Sequence, residues 1–165
     1  TNLLTSQIQF EKKRETSLVK LIWTLQSAKL SKEEDIDAEN KTTREMIELR
    51  TKMEDSTIAS QLDVVIAQKQ ALGAINRCQV DDLNDLLDEA QLIVKETRAL
   101  IALVEDTLDR VVPLTAGDQV YAFEDLEILQ RVWKDASDRI DGAEVRMKAL
   151  KSKYDSDRLN RLMLL

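Results

Sequence analysis

Between Leu83 and Val111 the inward-facing positions recur at alternating steps of four and three residues: Leu83, Leu87, Ala90, Val94, Thr97, Ile101, Val104, Leu108 and Val111. Only a helix sets such a series on one face, so this stretch is predicted to be a core helix. A second row, Leu86, Ile93 and Leu100, lies beside the first. Two adjacent rows make an apolar surface broader than a two-stranded seam and call for several helical neighbours.

The rest of the chain permits little except helix. Three Gly and one Pro among 165 residues, 33% of them charged, is the composition of long helices and argues against strands anywhere. The length suits one domain. The expected fold is all-α: an elongated antiparallel helical bundle of four long helices with coiled-coil-like packing, spanning about 2–30, 43–79, 82–112 and 120–163.

In the first helix Leu4, Ile8, Leu18, Ile22 and Leu25 share a face. Glu11 to Glu15 interrupt it and read as a solvated turn with local ion pairs, or alternatively as a contact patch for an acidic partner. Residues 31–42 hold one large apolar side chain, Ile36, and two capping-box patterns, Ser31 with Glu34 and Thr42 with Glu45. A loop with one helical turn is expected there.

The second helix turns Ile47, Ile58, Leu62, Val65, Leu72 and Ile75 inward, and Gly73 would let a neighbouring backbone come close or act as a hinge. Val80-Asp81-Asp82 reads as a minimal turn whose aspartate caps the third helix, making helices two and three an antiparallel hairpin. Pro113 to Gln119 is the clearest linker. The fourth helix carries a regular stripe, Ala122, Leu126, Leu129, Trp133, Ala136, Ile140, Ala143, Met147, Leu150 and Tyr154, which keeps phase across Gly142. Asp141-Gly142 is therefore expected to be a soft spot within one helix.

The net charge of −7 is unevenly spread. Residues 80–112 hold nine acidic and three basic side chains, so this segment wants basic neighbours, which residues 1–30 and the Arg146–Arg161 region supply. An acidic chain with few aromatics is not expected to bind nucleic acid, where affinity rests on neutralising phosphates.

The chain has no histidine, which removes the commonest general base, the Ser-His nucleophile pair and the usual zinc ligand sets. Cys78 is alone, cannot form an internal disulfide, and reads as a buried, inert thiol. The glycines are too scattered for a phosphate-cradling loop. Asp135, Asp138 and Asp141 stand three apart on a helix, a solvated face and not a calcium loop. Trp23 and Trp133 take inward positions as packing residues, and Thr97 is expected to bond its hydroxyl to the carbonyl four residues back. Asn40-Lys41-Thr42 fits the glycosylation pattern, which so short a tripeptide meets by chance. No catalytic residue, metal, cofactor or small-molecule substrate is expected, and the chain is not expected to be an enzyme.

The positive feature is surface for partners. The segment from Arg146 to Leu165 is basic, through Arg146, Lys148, Lys151 and Lys153, and then apolar, through Leu159, Leu162 and Met163. It would dock on another helical protein, self-associate, lie on an anionic membrane, or represent a helix cut in its middle. The expected function is a non-catalytic interaction or scaffold module that binds other proteins through helix faces. The alternative is a membrane-active bundle that rearranges on lipid. The chain opens on Thr1 and stops in an apolar patch, as a fragment of a larger protein would; the single cysteine and the lack of a leader or an apolar span favour the cytoplasm slightly.

In its order of helix, acidic loop, long helix, tight turn and helix over residues 1–112, with Trp23 in the first helix, the chain resembles the architecture of a spectrin-type three-helix repeat. Such repeats carry a second tryptophan in the third helix, where aliphatic residues surround Val94 here, and they run on without a break like that at Pro113. Long acidic hairpins of this kind also look like the coiled-coil parts of secreted pore-forming or translocator proteins.

Overall fold

In a computed structural model, residues 2–111 and 116–165 are described, with side chains over 4–109 and 126–165. Among the described residues there are three helices and no strand: α1 (Asn2–Thr51), α2 (Ser56–Val111) and α3 (Ala116–Leu164). The all-helical expectation holds, and the count of four does not. Pro113 itself lies outside the described residues, while 116–119, expected as linker, already belong to α3. As a consequence, the described residues within 1–112 form two helices, not the three that the likeness to a spectrin-type repeat implies.

Two boundaries move for identifiable reasons. Residues 31–42 are helical because they contain no Gly or Pro, pair Lys29 with Glu33 one turn on at 3.8 Å, and turn Lys32, Ile36 and Glu39 toward the interior. Thr42 caps nothing; its hydroxyl donates to the Ala38 carbonyl at 3.1 Å. The supposed turn at Val80-Asp81-Asp82 is mid-helix, with Asp82 fully buried.

The real turn is Lys52–Asp55. Its first residues close back on α1, Lys52 N–H to the Leu49 carbonyl at 3.1 Å and Met53 N–H to Arg50 at 3.2 Å. Asp55 then caps α2 by accepting the Thr57 and Ile58 N–H groups on Oδ1 at 2.9 and 3.3 Å. Arg50 and Asp63 bridge the arms of this hairpin at 2.9 Å.

The chain divides into two compact units, and each helix contributes a segment to both. Unit 1 comprises Thr1–Thr24 and Leu87–Lys148. Its core joins Ile93 and Leu100 of α2 to Ala136, Ile140 and Ala143 of α3, with Leu18, Leu92, Trp133 and Met147 packed around them. The two alanines are 2% and 0% exposed, so α3 approaches its neighbour through small side chains and Ile140 fills the space between. Pairs of Lys12 with Glu105 and Glu15 with Arg98 tie α1 to α2, and pairs of Glu96 with Arg139 and Glu89 with Arg146 tie α2 to α3. Steps forward on one helix match steps backward on the other, so α2 runs antiparallel to both neighbours here.

In the Glu11–Glu15 segment Lys12 and Lys13 are exposed and a local ion pair forms, as expected of a solvated turn, but its first residue is not solvated. Glu11 is buried 3.6 Å from Arg14, whose guanidinium lies over the Phe10 ring at 5.1 Å.

Unit 2 comprises Leu25–Leu86 and Ala149–Leu165. Ala59, Ile66, Leu72, Leu83 and Leu86 are buried there, together with Asn76, Gln79 and Asp82. The stripe of α3 stays inward through Leu150 and Tyr154 and then continues at the same spacing through Asp157 and Arg161, both half-buried. Gly73 is buried, and a Cβ placed on it would meet only Arg77 of its own helix, at 3.5 Å, so no neighbouring backbone comes close.

Candidate functional site: a polar layer and an exposed apolar end

In unit 2 the interior positions of all three helices turn polar together. On α2 these are Asn76, Gln79 and Asp82, each 0% exposed. Helical spacing of three keeps them on the face that Leu72 and Leu86 also occupy. Asn76 spans two α1 side chains seven residues apart: its Nδ2 donates to Glu39 Oε2 at 2.7 Å and its Oδ1 accepts from Lys32 Nζ at 3.4 Å. Glu39 is shared, since Arg161 of α3 donates to its other oxygen at 3.2 Å. Burial pushes the Lys32 ammonium below its ordinary pKa, and the Arg161 charge pushes it further, against Asp35 and Glu39.

Beside this lies a second cluster. Lys153 Nζ sits 3.0 Å from Asp82 Oδ1, and both Asp82 oxygens are sealed from solvent. The hydrogen bond and the charge of Asp82 raise the pKa of Lys153. Burial raises that of Asp157, the negative charge of Asp82 nearby adds to it, and Lys153 opposes. Gln79 reaches only the Tyr154 carbonyl, at 3.5 Å, and its own carbonyl oxygen is buried without a partner.

Polar groups inside a helical seam lower stability but disfavour other offsets, because a shift leaves them unpaired. Among the described residues no group of three or more His, Cys, Asp or Glu is placed to hold a metal.

The raised pKa of Asp157 gives the layer a pH signature. A carboxyl whose folded pKa lies above its unfolded value of about 4 contributes most stability below that value and loses it as pH rises through the folded pKa. Glu11, raised by burial against the opposing charge of Arg14, acts in the same direction in unit 1. Urea midpoints measured upward from pH 4 should therefore contain a falling component, and Asp157→Asn with Glu11→Gln should flatten it. An unchanged slope in the double variant would contradict the assignment.

The surface residues expected to bind partners fall into two kinds. Arg146 and Lys153 are taken up by Glu89 and Asp82, whereas Lys148 and Lys151 are exposed. Leu159, Leu162 and Met163 are 63%, 57% and 85% exposed. They leave the α3 stripe because the interior positions there belong to Asp157 and Arg161.

Other expectations are corrected. Cys78 is exposed, because the adjacent interior positions are Asn76 and Gln79. Trp23 is 71% exposed, while Trp133 packs on the unit 1 core. The Thr97 hydroxyl is buried and finds no partner among the described residues. The polar layer itself was missed, although Asn76, Asp157 and Arg161 keep the spacing of the apolar stripes. No helix among the described residues is long and apolar enough to cross a membrane.

Compared with known proteins, the chain matches no family model, no curated protein and no solved structure.

Proposed function

We propose that this chain is a non-catalytic helical interaction module that associates with other proteins, a second copy of itself included, through the outer faces of its helices. The observation that carries this reading is the trio Leu159, Leu162 and Met163, spaced three and four apart on one face of α3 and largely in solvent. Large apolar side chains grouped on a soluble surface mark sites that another surface covers. Lys148 and Lys151, on the turns before them, provide the charged rim usual at such interfaces.

The helices are proposed to wind as a left-handed coiled coil. Supporting this, buried positions on α2 recur every seven residues, at Leu72, Gln79, Leu86, Ile93, Leu100 and Thr107. The charged pairs of α2 with α3 follow the same interval: Asp82, Glu89 and Glu96 meet Lys153, Arg146 and Arg139.

The test is sedimentation of the intact protein beside a variant with Leu159, Leu162 and Met163 all changed to Gln. Concentration-dependent association in the parent, weakened about tenfold or more in the variant, is expected. Truncation after Tyr154 is a poorer test, since it also removes Asp157 and Arg161 from the polar layer. A parent that stays monomeric at all concentrations and co-sediments with anionic vesicles would favour the membrane-active alternative instead.

A further inference from the structure

In unit 1 a groove of about 430 Å³ lies between α1 and α2, walled by Val19, Ile22 and Trp23 from one helix and Val94 from the other. Trp23 also borders a second cleft of about 320 Å³ with Val19, Thr16 and Lys20. An indole 71% exposed between two apolar clefts is costly in water, because tryptophan offers the largest apolar area of any side chain. The packing of unit 1 does not explain it; the core uses Trp133, and Trp23 is no part of it.

The rim of the groove has a sign. Lys20, Lys95 and Arg98 border the clefts, with Glu15 the one carboxylate lining them, and Glu15 is bound to Arg98 at 2.9 Å. Lys20 and Lys95 have no acidic partner among the described residues. On a chain of net charge −7 this is a local basic frame around an apolar floor. Its complement is a helix with apolar side chains along one face and acidic residues on the flanks.

We propose that the Trp23 groove docks an acidic amphipathic helix of a partner protein, with Trp23 as the anchor. The assignment rests on the interaction-module reading but uses a different surface from the α3 trio, and the two are tested separately. Trp23 covers the floor, Val19 and Ile22 receive the apolar face, and the lysines at the rim meet the acidic flanks. Tryptophan suits the anchor role because it brings a large rigid contact area with few torsions to fix.

The probe is a labelled synthetic helix of about three heptads, with Leu at the seam positions and Glu on the flanks, followed by fluorescence anisotropy against the intact protein. Saturable binding is expected. Trp23→Ala should weaken it at least about tenfold without altering the helical circular dichroism, since the side chain is outside the core. Lys20→Glu with Lys95→Glu should weaken it further and shift preference toward the same helix carrying Lys in place of Glu.

A flat titration would overturn the proposal, as would equal binding of the Glu and Lys helices or indifference to Trp23→Ala. Trp23-dependent uptake by phosphatidylserine vesicles without peptide binding would overturn it in favour of a lipid surface. None of these results bears on the sedimentation of the α3 trio variant, so failure here is separable from failure of the module reading.

Discussion

Leu100→Ala is expected to destabilise the protein by about 2–5 kcal/mol, read as a lower urea midpoint by far-UV circular dichroism. Leu100 is 2% exposed and packs in the unit 1 cluster with Ile93, Ala136, Ile140 and Ala143. The size of the effect follows from what surrounds it. Two of the four buried partners are alanines, whose methyl groups cannot swing into the space a leucine leaves. The helices would have to move together to close the cavity, and Ile140 resists that movement. Leu159→Ala is the control: that side chain is 63% exposed, and its loss should change the midpoint by no more than about 0.5 kcal/mol. Equal effects at the two positions would mean that the cluster is not the core of unit 1.

Gln79→Leu is expected to act the other way, raising stability by about 1–3 kcal/mol. The native amide gains one long hydrogen bond, to the Tyr154 carbonyl, and leaves a buried carbonyl oxygen unpaired. Leucine at this position would continue the buried row between Leu72 and Leu86, seven residues to either side. The neighbouring change Asn76→Leu should nevertheless destabilise, although both side chains are fully buried amides. It would strip Glu39 of its 2.7 Å donor and Lys32 of its acceptor, leaving charged groups poorly matched inside unit 2. Opposite shifts of the urea midpoint for the two variants are the expected result. Two shifts of the same sign would show that the hydrogen bonds described for Asn76 do not set its contribution.

Both substitutions probe what was hardest to read from sequence. The series from Leu83 to Val104 was legible residue by residue, because every one of its positions is buried and all but Thr97 are aliphatic. The same spacing runs on toward the N-terminus through Val80, Asn76, Gly73, Lys69, Ile66, Leu62 and Ala59, all buried or half-buried, without a change of phase. That continuity marks one helix from Ser56 onward. Hydrophobic periodicity does not reveal it, because the seam here carries an amide, a glycine and a lysine. The α1 seam is masked in the same way by Glu11, Lys32 and Glu39, and that of α3 by Asp157 and Arg161.

The turn at Lys52–Asp55 was obscured for a different reason. It uses neither Gly nor Pro, and its one local signal, Asp55 followed by Ser56 and Thr57, is weaker in appearance than the capping patterns at Ser31 and Thr42 that the structure does not use. The partner surface was legible in part: Leu159, Leu162 and Met163 are outside, but two of the four cations named with them are engaged within the fold.

The seven-residue interval of the charged pairs carries a hazard of its own. Arg139, Arg146 and Lys153 face Glu96, Glu89 and Asp82, and both sets repeat at that interval. Were α3 to slide along α2 by one such step, Arg139 would meet Glu89 and Arg146 would meet Asp82, two matches out of three. Long-range attraction between the helices thus reads almost the same at neighbouring offsets, like a ruler whose marks carry no numerals. The polar layer numbers them: the slide would set Lys153 against Ile75 and part Asp157 from Asp82. The residues that lower the depth of the native state would thus be those that make it single.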